Sequence, residues 1–97
     1  MERKPKGGSK ALYEQIVKLN DIDSCYRFFC DLCSINELNA IEQRFDVAKL
    51  LYEGNVYTDI VEKTGASSAT ISRVNRALRY GDDGLMDAFN SNIKEAE

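Results

Sequence analysis

The sequence predicts an all-α fold of about six helices. Proline occurs once in 97 residues, at Pro5, so no later proline interrupts a helix. Apolar residues recur at i, i+3 and i+4 through most of the chain, the period of a helix buried on one side. Short polar or glycine-containing breaks separate these runs, and no run alternates as a half-buried strand would.

Residues 1–8 read as a flexible basic tail because of their Lys, Pro and Gly content, and residues 9–97 as one helical domain. Ser9 suits the cap of a first helix running to about Leu19, with Leu12, Ile16 and Leu19 on one face. Asn20 and Asp21 break it. Asp23 or Ser24 is expected to cap a second helix. Its residues Cys25, Tyr26, Phe28, Phe29, Leu32 and Cys33 make a nearly continuous apolar surface, which predicts burial at a subunit interface. Ser34 and Glu37 have the spacing of a capping box. The long helix after them carries Leu38, Ile41, Phe45, Val47, Ala48, Leu51 and Tyr52, and Gly54 ends it. Thr58 is expected to cap a short helix from Asp59 to Thr64. Gly65 stops it, and Ser67 or Ser68 starts another that runs to about Tyr80. Asp82 or Asp83 opens a last amphipathic helix with Leu85, Met86, Phe89 and Ile93 inward.

Charge and cysteine content narrow the function classes. The net charge of −3 speaks against a bulk nucleic-acid binder, but its distribution is uneven. From Tyr57 to Tyr80, Lys63, Arg73, Arg76 and Arg79 outnumber Asp59 and Glu62. From Gly81 onward, Asp82, Asp83, Asp87, Glu95 and Glu97 face Lys94 alone. Cys25, Cys30 and Cys33 are an odd, clustered set and make a poor disulfide framework. Cys30 and Cys33 have half the spacing of a zinc site, yet the chain has no histidine and no second cysteine pair. They are read as free thiols buried in a helix, with a metal shared across a dimer as the alternative. No apolar run reaches the roughly 20 residues that span a bilayer, and no secretory signal is present, so a cytoplasmic protein is expected.

The stretch TDIVEKTGASSATISRVNRALRYG carries the function. Ile60, Val61, Gly65, Ala66, Ile71 and Val74 are the small and branched apolar residues that two steeply crossing helices need at their elbow, with Ile71 and Val74 facing Ile60 and Val61. The opposite face of the second helix offers Ser67, Ser68, Ala69, Thr70, Ser72, Arg73, Asn75 and Arg76. A recognition helix presents its first residues to base edges in the major groove. Ser and Thr donate or accept there, and Ala touches a thymine methyl. Arg73, Arg76 and Arg79 suit phosphates. The expected DNA-binding set is therefore Ser67, Ser68, Ala69, Thr70, Ser72, Arg73 and Arg76.

From about Asp31 to Phe89 the chain resembles the Trp repressor family. The matching segments are DLCSINELNAIEQR, LLYEG and TGASSATISR, most specifically Gly65, Ala66, Ala69, Thr70, Ile71 and Arg73. It is most similar to the Trp-repressor-related proteins of Gram-positive bacteria. The resemblance implies an intertwined homodimer with two reading heads one DNA turn apart, and hence a palindromic operator. It also implies an effector site in which Arg44 and Arg73 hold the carboxylate of L-tryptophan. Two positions depart from the pattern. Val74 stands where Trp repressor has the glycine that makes room for indole, and Ala77 replaces a serine that helps bind the ligand's amino group. Both argue against tryptophan, and no cofactor is expected.

The reading that follows is a dimeric, sequence-specific regulator of transcription, a repressor, on duplex DNA. Its rival is a helical module that uses the same corner to bind a protein. That rival requires an exposed apolar patch, and the recognition face is polar. The residues show no nucleophile–base pair and no phosphate-cradling glycine loop, so an enzyme is not expected.

Overall fold

The computed structural model describes residues 8–96. Among them are six helices and no strand: α1 (Lys10–Lys18), α2 (Ile22–Leu32), α3 (Ile35–Tyr52), α4 (Tyr57–Thr64), α5 (Ser68–Tyr80) and α6 (Gly84–Ala96). The basic tail expected over residues 1–8 lies outside the described residues except for Gly8. The chain divides into two compact units, Met1–Asn39 and Ala40–Glu97.

In the first unit, local signals set the helix ends. The Ser9 hydroxyl accepts the Leu12 amide at 3.2 Å and caps α1. Asp21, rather than Asp23 or Ser24, caps α2. Its carboxylate accepts both the Ser24 amide, at 2.7 Å, and the Ser24 hydroxyl, at 2.8 Å. Asp23 then lies inside the first turn and pairs with Arg27 at 2.8 Å, one turn on. The capping box closes as expected: the Ser34 amide donates to Glu37 at 2.8 Å and the Glu37 amide to the Ser34 hydroxyl at 3.1 Å. These amide bonds hold the carboxyls of Asp21 and Glu37 below their ordinary range, with help from the serine hydroxyls.

Neither α1 nor α2 buries a residue within the chain. Tyr13, Val17, Ile22, Tyr26 and Leu32 are exposed, Ile22 at 89%. The thiols follow their helix: Cys30 is exposed and Cys25 and Cys33 are half-buried, all free, so the expectation of buried thiols is corrected. The reason is that α2 encloses none of its own residues.

The second unit has the core. Val47, Ala48 and Leu51 of α3, Ile60 of α4, Ala66, Ile71, Val74 and Leu78 around α5, and Phe89 of α6 form one buried cluster. Phe89 stacks at a tilt on Tyr52 and Phe45, with ring centroids 5.1 and 5.6 Å away. The Tyr52 hydroxyl donates to Asn90 at 2.6 Å and ties α3 to α6. After α3, Gly54 takes φ +91°, and the backbone and side-chain amides of Asn55 both donate to the Leu50 carbonyl at 3.0 Å. Two inward assignments fail. Val61 and Ile93 are 41% and 49% exposed, because each lies at the edge of the stripe that Ile60 and Phe89 centre.

Candidate nucleic-acid interface

The corner between α4 and α5 is built from three residues, Gly65, Ala66 and Ser67. α4 opens at Tyr57 with Val56 before it and no side-chain cap, so Thr58 is not the cap. The chain already enters helical geometry one residue before Thr58, which puts that side chain inside the first turn. At the other end the Gly65 amide donates to the Val61 carbonyl at 2.8 Å while Gly65 itself sits at φ +73°. A residue with a Cβ would be strained there by about 1–2 kcal/mol. Thr64 braces the turn: its hydroxyl donates to the Ile60 carbonyl at 2.7 Å and accepts the Ala66 amide at 3.1 Å. Gln43 of α3 donates to the Thr64 carbonyl at 3.2 Å, which anchors the end of α4 on the core.

Ser67 caps α5. Its hydroxyl accepts the Thr70 amide at 3.1 Å and donates to the Thr70 hydroxyl, also at 3.1 Å. Ile71, Val74 and Leu78 point into the core. Of the expected set, Ser68, Ala69, Ser72, Arg73 and Arg76 are exposed and, among the described residues, make no bond to another side chain. Ser67 is exposed but committed to the cap, and Thr70 is half-buried beside it. Small polar groups therefore stand at the start of α5 and arginines one and two turns later. α5 has no acidic residue. Arg79 leans along the helix, with Nε donating to Asn75 at 3.4 Å.

Tyr80, the last residue of α5, belongs to this face and is absent from the expected DNA-binding set. It lies four residues beyond Arg76 and seven beyond Arg73, hence on the same side of the helix. Carrying the helical period to the last residue of α5 would have found it.

Beside the corner lies a cleft of about 380 Å³ lined by Ile41, Arg44, Phe45, Arg73, Val74, Ala77 and Leu85. Arg44 and Arg73 are thus brought to one site, on α3 and α5 respectively. Two cations over an apolar lining suit a small ligand with a carboxylate and an apolar body. Val74 is only 5% exposed and belongs both to the core cluster and to the cleft wall. Among the described residues no cluster of three or more His, Cys, Asp or Glu side chains is placed to hold a metal ion, and no helix is long and apolar enough to cross a membrane.

The chain matches the Trp repressor protein family over residues 8–93. It is 51% identical to the uncharacterised protein YerC of Bacillus subtilis (strain 168), over 89% of this chain and 82% of that one. A solved TrpR-like protein from Eubacterium eligens ATCC 27750 superposes with a TM-score of 0.82 at 50% identity, covering 91% of this chain and 94% of the other. A solved candidate Trp repressor from Staphylococcus aureus gives 0.83 at 36% identity, covering 93% and 94%. The match spans the α4–Gly65–α5 corner, its core and the cleft beside it: the chain belongs to the Trp repressor family, whose members are DNA-binding regulators and not enzymes.

Proposed function

We propose that the protein is a homodimeric repressor of transcription that reads a palindromic duplex operator through α4 and α5. The observation that carries this reading is the division of α5. Ile71, Val74 and Leu78 fix the helix to the core, while Ser68, Ala69, Ser72, Arg73 and Arg76 stand free on its outer face. Ser68, Ala69 and Ser72 address base edges; Arg73 and Arg76 address phosphates. Ser67 and Thr70, placed in the base-reading set from the sequence, act first as the helix cap.

The dimer reading rests on α1 and α2, which bury no residue among those described and leave Tyr13, Val17, Ile22 and Leu32 exposed. A second copy related by two-fold symmetry supplies their cover. Two heads on one axis then read half-sites about 34 Å apart.

The reading includes an effector site that does not require tryptophan. Val74 forms part of the wall of the cleft that Arg44 and Arg73 also line, and Ala77 offers no hydroxyl to an amino group. DNA binding without added ligand follows from this.

Selection of the purified protein against a random duplex library, at two salt concentrations and without ligand, tests the whole reading. A palindrome with half-sites one turn apart is the expected product. Arg76→Ala should weaken binding about equally for all sequences and lower the salt slope by about one. Failure to enrich any sequence overturns sequence-specific reading, and a wild-type slope in Arg76→Ala overturns the phosphate role.

A further inference from the structure

We propose that Tyr80 is a phosphate contact at the outer edge of each half-site, and that the reading face of α5 runs the full length of the helix. The proposal rests on the DNA-binding reading above and extends it. Ala69, Arg73, Arg76 and Tyr80 follow one another at intervals of four, three and four residues, so they form a single stripe. At 1.5 Å per residue the stripe is about 16 Å long. The major groove is about 12 Å wide. With Ala69 at the base edges, the far end of the stripe reaches past the groove to the sugar–phosphate strand that borders it.

Three observations place Tyr80 in that role. It is 85% exposed, although it directly follows a turn of α5 that buries Leu78. Among the described residues its ring stacks on nothing and its hydroxyl has no hydrogen-bond partner. It also stands at a boundary of charge. Arg73, Arg76 and Arg79 precede it on a helix without carboxylates, and Asp82 and Asp83 follow it. A phenol is a neutral donor and reaches a phosphate at that boundary without forming an ion pair with the adjacent aspartates. Gly81 lets the chain turn away directly after Tyr80: a Cβ there would collide with the Ala77 carbonyl that accepts the Gly81 amide. The acidic segment thus departs from the helix axis where the stripe ends.

The test compares wild type, Tyr80→Phe and Arg76→Ala on the duplex recovered from the library and on the unselected random-sequence pool, over a range of salt. Loss of one hydrogen bond to a charged oxygen corresponds to about tenfold in affinity. Tyr80→Phe is expected to weaken both duplexes by about that factor and to leave the salt slope unchanged, since no cation is lost. Arg76→Ala is expected to lower the slope. An unchanged melting temperature for Tyr80→Phe excludes a folding cause, because the hydroxyl has no internal partner to lose. Wild-type affinity in Tyr80→Phe overturns the proposal while leaving the DNA-binding reading intact. A loss confined to the selected duplex overturns the phosphate assignment. Absence of binding by wild-type protein to either duplex overturns both readings together.

Discussion

The units Met1–Asn39 and Ala40–Glu97 both carry helices with ordinary apolar stripes, and they dispose of those stripes in opposite ways. The second unit brings residues of α3, α4, α5 and α6 into one cluster in which Val47, Ile60, Ile71 and Leu78 are almost wholly enclosed. In the first, α1 and α2 enclose nothing, and residues as large as Ile22 and Leu32 remain open. Their helix ends are nevertheless well made, with two side-chain caps and a capping box. The difference shows that capping determines where a helix starts, while burial determines whether it contributes a core. Local side-chain chemistry sets the starts of α1, α2, α3 and α5, whereas α4 starts without a side-chain cap. Enclosure of a core is complete only in Ala40–Glu97.

Perturbing each unit in turn separates them. The largest effect is expected at the centre of the enclosed cluster. Ile71→Ala should cost about 2–5 kcal/mol, read by urea denaturation of the full chain, because the site is enclosed by residues of several helices and cannot easily collapse. A cost near zero would mean that α5 is not held by this core. Next comes Leu32→Glu on α2. In an isolated chain a 54% exposed position tolerates such a change within about 0.5 kcal/mol. If a second copy covers α2, the loss is counted once per subunit at about 1.5–3 kcal/mol each, and sedimentation should show the dimer weakened a hundredfold or more. An unaltered oligomeric state would leave the apolar first unit without its proposed cover.

The smallest effect belongs to the caps. The carboxyls of Glu37 and Asp21 are both depressed in the folded chain. Each therefore contributes stability that is full above the ordinary carboxylate range and is lost as pH falls through the lowered folded value. Acid titration followed by carboxyl NMR should show both groups protonating below unfolded-chain values. Helicity at the α2 and α3 starts should fall in that same window. Glu37→Gln should remove the α3 component of the acid response while keeping a hydrogen-bond acceptor. Titration of either carboxyl at its unfolded value would contradict the cap geometry.

The parts of the molecule legible in the sequence are those governed by neighbours along the chain. Ser9, Ser34 with Glu37, Gly65 and Ser67 act within four residues of themselves, and each does what its spacing predicts. Asp21 was hidden because Asn20 and Asp21 read equally well as the stop of α1. The start of α4 was hidden because Val56 caps it without a side chain, so Thr58 offered the only chemical signal. Exposure was less legible. Val61 and Ile93 sit near an apolar stripe by period, yet which edge of a stripe is covered depends on helices distant in sequence. At the candidate site, the residues indicate the polar outer face of α5, while the placing of Arg44 and Arg73 at one site comes from the family resemblance. The sequence did not show that Ser67 and Thr70 are engaged with each other, which depends on side-chain placement at the cap.

Val74 ties two properties that proteins usually keep on separate residues. The same isopropyl group is packed against the core and forms part of the wall of the cleft that both arginines line. Any drift toward a smaller residue, which would admit a bulkier guest, removes atoms from the interior at the same moment and costs about 0.5–2 kcal/mol or more before a ligand can repay it. Any drift toward a larger one narrows the cleft and strains the packing. A lineage carrying valine here therefore changes its guest only across a stability barrier, and compensating substitutions elsewhere in the cluster would have to come first.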